Sequence, residues 1–562
     1  MHHTLNPSIF SYKATKKLAR RGLLFLMTLA FIVINPIFFS NAQTSLNTSL
    51  GTNLSGIAEW STEMPFVNAF KSSRQWITQC VKTDPGCRGV WDTGEFAKLD
   101  LDQYGWVKSL PAPGDSPEYT RVATTMFKGI NQYPGGQYLV LYDGQGTIDY
   151  RFDATKVSST PGRDVINVTP SNSGIYLVIT STDPNKIGNY IRNIRVIPTA
   201  YEQTYESQIF NPQFLSKINK FKALRFMDWM DTNNSQQKEW ANRPKVDDAS
   251  YTGKGVPVEI MVELANRLNV DPWFNMPHMA TNEYIANFAQ VVKTRLKPNL
   301  KAYVEFSNEV WNASFQQYQY ALAQGKAKWG QTKTNTQLQW YGMRTAQMCD
   351  IWENTFGSEK NRVVCAISTQ TAVKGPEKSV LDCSYWVAEG NKPCYQHGID
   401  VYAITGYFGG KLGQPGNTTM IESWLKESDG GFTTAIQRFT NPNLPDSIPS
   451  IYKLFTYHAN VAKTKGLQLV AYEGGQHIVG SNGVENNQNI TNFFIALNRR
   501  PEMYSLYTDM LNKWKNAGGT LFMNFSDIGI PSKYGSWGAL EHVNQNTSPK
   551  YKALMDFIAQ NP

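Results

Sequence analysis

Residues 257–306 read PVEIMVELANRLNVDPWFNMPHMATNEYIANFAQVVKTRLKPNLKAYVEF. Two segments, 257–268 and 283–296, repeat apolar residues at helical spacing, and two others, 271–276 and 301–306, are apolar runs of strand length. Helix alternating with strand calls for a parallel sheet covered by helices. The alternation continues in both directions. Strand-length runs recur at 222–228, 362–368, 400–405, 467–472 and 519–525, and helical patterns at 316–328, 337–352, 449–465 and 503–517. Pro449 suits the first position of its helix, where no backbone N–H is needed. A strand at 51–58 with a short helix at 66–77 supplies an eighth unit, and a last helix at 549–559 would close the ring. The pattern predicts a (β/α)8 TIM barrel.

The first and second barrel strands lie too far apart for one connection. Between them, 88–200 changes period: GQYLVLYDG, GTIDYRF, DVINVT, GIYLVITST and IRNIRVIP are short strands bounded by Gly, Pro, Asn and Asp. Strands at that spacing predict a β-sandwich of jelly-roll type inserted between the first two barrel strands. The expected plan is a signal segment over 1–42, the start of the barrel over 43–87, the inserted sandwich over 88–200, and the rest of the barrel over 201–562.

Of the 562 residues, 41% are hydrophobic and 18% charged, a globular composition that excludes collagen, coiled coil and disorder. Five basic residues and no acids occupy 1–42, so the net charge of +9 falls to +4 over the remaining 520. No basic stripe is left to bind nucleic acid. The apolar run 22–39 follows that basic segment and precedes Ser40-Asn41-Ala42. This is the order of a secretory signal cut after Ala42; retention of the run as a membrane anchor is the alternative, and no other membrane association is expected. The expected location is therefore secreted, periplasmic or cell-surface. The cysteine number is even, and nearest-neighbour pairing gives Cys80–Cys87, Cys349–Cys365 and Cys383–Cys394, among 15 possible connectivities. Buried free thiols are the other reading.

In a TIM barrel, chemistry sits at the C-terminal ends of the strands. The fourth ends in Ser307-Asn308-Glu309-Val310-Trp311, the seventh in Glu473-Gly474-Gly475. One carboxylate at a strand end reads as a salt bridge or a cap. Two, on strands that face each other across the barrel mouth, read as the nucleophile and acid/base of a glycosidase. No HExxH, paired-His spacing, GxSxG elbow or P-loop occurs, so no metal and no cofactor is expected. The GxG in YDGQG at 142–146 lies between sandwich strands, not in a Rossmann turn.

YVEFSNEVWN and LVAYEGG resemble the strand-four and strand-seven motifs of the clan-A glycoside hydrolases, the 4/7 superfamily. The resemblance covers the barrel through its strand ends, whose motifs are family-5-like, and assigns no one numbered family. It implies a retaining β-glycoside hydrolase acting on a polysaccharide or oligosaccharide, with Glu309 as acid/base and Glu473 as nucleophile. Asn308 would bind the sugar 2-hydroxyl, Arg225 would hold Glu473 ionised, His278 would bind sugar, Tyr407 would hydrogen-bond the nucleophile, and Trp537 would line a subsite. Thr405 departs from the pattern, standing where many members have His. Among other aromatics near strand ends, Trp60 and Trp311 are subsite candidates, with Trp229 and Trp273 behind them. Asp228 and Asp527 could bind hydroxyls, and Glu59 and Glu63 are weaker candidates. Each has a plain structural reading too: Arg225 could simply pair with Glu305, and the aromatics could be packing. A non-catalytic carbohydrate-binding or surface protein on this scaffold, and a transglycosylase remodelling exopolysaccharide, stay open.

Overall fold

The computed structural model describes residues 48–562; the N-terminal segment with its expected cleavage site lies outside them. Sixteen strands follow in chain order. They are β1 Ser49–Asn53, β2 Ile77–Gln79, β3 Arg121–Met126, β4 Gly136–Asp143, β5 Gly146–Phe152, β6 Ala154–Thr160, β7 Arg163–Val168 and β8 Ile175–Thr182. Then come β9 Arg192–Pro198, β10 Ala223–Arg225, β11 Asp271–Met276, β12 Ala302–Phe306, β13 Val363–Ser368, β14 Ile399–Phe408, β15 Gln468–Gln476 and β16 Gly519–Asn524. A closed barrel forms in the order β1-β10-β11-β12-β13-β14-β15-β16. Every neighbouring pair is parallel, including β1 with β16. Helices such as Val258–Leu268, Asn282–Arg295, Thr336–Phe356 and Glu502–Ala517 bury one face each. Among the described residues, no helix is long and apolar enough to cross a membrane.

The helix expected at 66–77 does not form. Asn68 caps a single 3-10 turn, Ala69–Ser72, and the chain then extends into β2. Phe70 packs on Trp76 and Trp106 instead of lying along a helix; burying these rings outweighs the local pattern. β2 pairs with β3, so residues before 88 already join an antiparallel sheet. Two antiparallel four-stranded sheets stand between β1 and β10, in the orders β2-β3-β8-β5 and β6-β7-β4-β9. Alternate residues of both, such as Val122, Leu177 and Ile179 on one and Val140, Ile166 and Val196 on the other, share one buried cluster.

The barrel interior is layered. Ala223, Trp273, Val364, Ala366, Val401, Ala403, Val470, Tyr472, Leu521 and Met523 fill it with apolar bulk. One step toward the C-terminal end, Asn53, Arg225, Asn275 and Glu305 are buried and polar. Two register shifts flank the end of β15. Against β14, Ile404 pairs with Ala471 but Thr405 pairs with Glu473; against β16, the ladder jumps between Ala471 and Gly474. The extra residue is a bulge, which re-aims a side chain. Plain alternation would point Tyr472 and Glu473 to opposite faces; the bulge turns both into the barrel. Gly406 and Gly474 give room there, since a Cβ on either would stand 2.4 Å or less from the Phe522 ring.

All six cysteines are bridged, as Cys80–Cys87, Cys349–Cys365 and Cys383–Cys394. The last closes an 11-residue stretch between β13 and β14. Peptide mapping without reduction should recover that pair, and replacing both cysteines by Ser should cost about 2–4 kcal/mol in denaturant unfolding. Free thiols at both positions would refute it.

Candidate active site

Everything at the barrel mouth is arranged round the Arg225 guanidinium, which is fully buried. Its Nε and one terminal nitrogen donate to Glu305 Oε2 at 3.2 and 2.8 Å, and that same terminal nitrogen donates to Asn308 Oδ1 at 2.9 Å. The other terminal nitrogen reaches Glu473 Oε1 at 2.8 Å and Asn53 Oδ1 at 3.0 Å. Trp273 Nε1 and Asn275 Nδ2 also donate to Glu305 Oε2. The two readings of Arg225 are therefore not alternatives: one cation holds Glu305 and Glu473 together. Tyr407 donates its hydroxyl to Glu473 Oε2 at 3.0 Å.

Glu309 sits beyond β12, where Ser307 and Glu309 both take positive φ, 58° and 43°. Neither is glycine, so the backbone there is strained by about 1–3 kcal/mol per residue. Tyr472 donates to Glu309 Oε1 at 3.1 Å and Asn312 to Oε2 at 2.9 Å. Burial, then the Glu473 charge, pushes the Glu309 carboxyl up to about 7. Burial raises Glu473 too, but Arg225 and the Tyr407 hydrogen bond oppose it. The two acids thus differ in surroundings: Glu473 has a cation and Glu309 has none in contact.

Asn308 is fixed on both sides, by Arg225 at Oδ1 and by Asn233 Oδ1 at 3.1 Å from its Nδ2, while Gln317 holds Asn233 and the Asn308 carbonyl. Trp537 is half-buried and packs edge-on to Tyr407, His477 and Phe525. Asp228 makes no side-chain hydrogen bond among the described residues; burial and then the Glu473 charge push it up to about 7. It lines a cavity of about 450 Å³ with Ser55, Trp60, Asp231, Tyr251 and Ile530. Trp60 is an exposed ring on that wall.

His278 is not joined to the carboxylates. It is buried edge-on to Tyr320, its Nδ1 makes no hydrogen bond, and burial lowers it to about 4. Trp311 is half-buried against the main core. Trp229 and Trp273 are fully buried, so neither floors an open subsite. Thr405 bonds Thr371 instead of the nucleophile. Glu63 and Asp527 are both buried, and burial raises both carboxyls, Asp527 to about 6. Ser55 and Trp229 bind this pair, which ties the loop after β1 to the loop after β16. Residues absent from the sequence reading are Asn53, Tyr472, Asn312, Asn233, Gln317 and His477. Tyr472, next to Glu473, was hidden because alternation points it away.

No family model and no curated protein matches the chain. Solved structures do, remotely. A 4-O-alpha-L-rhamnosyl-beta-D-glucuronidase from Fusarium oxysporum 12S shares 12% identity over 62% of this chain and 64% of that one, at a TM-score of 0.34. A GH5-4 broad specificity endoglucanase from Clostridium acetobutylicum shares 12% over 61% and 89%, at 0.32. A family 5 xyloglucanase from Paenibacillus pabuli shares 10% over 64% and 92%, at 0.32. The chain spans less than two thirds of the length of the glucuronidase and 55% of an exo-beta-1,4-mannosidase from an Opitutaceae bacterium. The barrel rests on the strand order, not on these likenesses.

Two outcomes follow from the electrostatics. Replacing Arg225 by Met leaves two buried carboxylates without their cation, and unfolding by urea should show a loss of at least about 3–5 kcal/mol. For Glu309, the folded carboxyl lies near 7 and the unfolded near 4.5. The folded state therefore holds the extra proton between those values, and stability falls as pH rises through them. Glu309→Gln should be more stable than the parent at pH 8, with the difference shrinking toward pH 4.5. A pH-independent difference would exclude the shift.

Proposed function

We propose that the chain is an exported retaining β-glycoside hydrolase that cleaves a polysaccharide by double displacement. The observation that carries this reading is the pair of buried strand-end carboxylates held in opposite electrostatic settings. Arg225 and Tyr407 favour an ionised Glu473, as a nucleophile requires. Glu309, pushed up to about 7, holds its proton over a range where an ordinary carboxyl has lost it, as a general acid requires.

In this mechanism Glu473 attacks the anomeric carbon while Glu309 gives its proton to the departing glycosidic oxygen. The glycosyl-enzyme neutralises Glu473. Glu309 then loses the like charge that raised it and takes a proton from water, which releases the sugar with retained configuration. Asn308, clamped between Arg225 and Asn233, would present its remaining N–H to the 2-hydroxyl. Trp537 and the Asp228 cavity would bind the sugars beside the reacting bond. The two antiparallel sheets form a β-sandwich domain in this reading, and three disulfides support an oxidising location outside the cytosol.

Glu473→Ala should abolish turnover on every substrate in a polysaccharide and aryl-glycoside screen. Glu309→Ala should fall by about 10²–10⁴-fold where the leaving group needs a proton, and much less with a dinitrophenyl glycoside. Azide should restore that variant and give a β-glycosyl azide; with Glu473→Ala it should give the α-anomer. Full activity in either variant rejects the site, and net inversion by the parent rejects the retaining mechanism.

A further inference from the structure

The sheet β2-β3-β8-β5 has a second face, turned away from the inter-sheet core. Ile77, Ala123, Tyr176 and Val178 form a separate buried cluster there. Trp91 and Phe152 each lie on Tyr176 with ring centroids 5.0 Å apart, and they stack on each other at 6.0 Å and 16°. Yet Trp91 is 47% and Phe152 50% exposed. Phe152 reaches that position through a left-handed backbone, φ 62°. Two residues earlier in the strand, Tyr150 points inward and bonds Asp164 of the opposite sheet. Alternation would send Phe152 inward as well; the strained residue delivers its ring to water instead.

The rim is cationic. Arg151 pairs with Tyr176 across the ladder and so shares its face. Lys128 Nζ lies 5.5 Å from the Phe152 centroid. Arg121 stands opposite Gln79, which accepts the Tyr176 hydroxyl hydrogen bond. The charges acting on that hydroxyl are Arg151 and Arg121. Arg151, Lys128 and Arg121 form no ion pair among the described residues; the acids near this face are Asp149, opposite Val178, Asp84, which feels the Arg121 charge, and Glu59. The face also runs on to the barrel. Thr125, the cross-strand partner of Tyr176, bonds Glu59, and Arg74 pairs with Glu59 at 3.3 Å. Glu59 adjoins Trp60, the exposed ring on the Asp228 cavity wall.

We propose that Trp91, Phe152 and Tyr176, with Arg151, Lys128 and Arg121, form a second glycan site, for a polysaccharide strand that carries carboxylates. Flat stacked rings take the C–H face of a pyranose, and unpaired Arg and Lys take its carboxylate by charge-assisted hydrogen bonds. The cavity walled by Trp60 has the opposite character: Asp228 and Asp231 line it and no cation does. The acidic sugar therefore belongs on the platform and an uncharged sugar in the cavity, with Trp60 between them. The placement of the strand rests on the glycosidase reading. The platform itself does not, because its occupancy is read without turnover.

Affinity gel electrophoresis of the full chain through alginate, polygalacturonate or hydroxyethylcellulose tests this. The parent should be retarded by the acidic polymers and not by the neutral one. Trp91→Ala and Phe152→Ala should each weaken retention at least about five-fold with an unchanged melting temperature. Arg151→Gln/Lys128→Gln should abolish it, while Lys426→Gln/Lys453→Gln, removing two exposed cations elsewhere, should not. Cleavage of a small aryl glycoside should be the same in all of them. No retention of the parent, preference for the neutral polymer, unchanged retention in the aromatic variants, or equal loss in the Lys426/Lys453 control would each overturn the proposal. Retention without cleavage of any glycan would leave it standing and reject the glycosidase reading.

Discussion

A single buried guanidinium organises the mouth of the barrel. Arg225 compensates Glu305 and Glu473 at once, and it orients Asn308 and Asn53 by hydrogen bonds. Its ring contacts, with Tyr472 at 5.0 Å and Trp273 at 5.7 Å, come from the apolar layer beneath. A charge taken out of water is tolerated only when paired and hydrogen-bonded. Neither carboxylate could be buried here without Arg225, and Arg225 could not be buried without them. The polar layer therefore forms as a unit, and five strands, β1, β10, β11, β12 and β15, contribute to it.

The second constraint is the bulge in β15. A regular strand can aim one of two adjacent residues into a barrel. Here Tyr472 and Glu473 are both needed inside: one donates to Glu309, the other receives Arg225. The extra residue solves that geometry, and the closely packed glycines at 406 and 474 leave space for Phe522 beneath. The strained turn at Ser307–Glu309 does the same on the opposite side of the mouth. The two carboxylates thus reach the same space from strands that would otherwise aim them elsewhere, and only one of them meets the cation.

The loops above this layer repeat the theme in a different chemistry. Ser55 donates to Asp527 and Trp229 to Glu63, so two buried acids without a cation join the loops after β1, β10 and β16. These loops line the cavity that holds Asp228. The antiparallel sheets meet the loop after β1 through the Thr125–Glu59 hydrogen bond.

Much of this was legible in residue order. The alternation of apolar runs and helical patterns set the barrel, because each period is a local property of the chain. The motifs ending at Glu309 and Glu473 placed both acids at strand ends for the same reason. Cysteine proximity in sequence matched the bridges, since short loops close easily. Other features could not be read this way. The 66–77 segment has a helical pattern, yet Phe70 and Trp76 are buried by partners far along the chain. Trp229 and Trp273 looked like subsite rings until their full burial was known. Tyr472 was masked by an alternation that the bulge breaks, and Asn53 and Asn233 carry no motif at all. Sequence fixes what depends on neighbours in the chain. The charge balance at Arg225, the bulge and the exposure of a ring depend on residues hundreds of positions apart, and only the folded structure decides them.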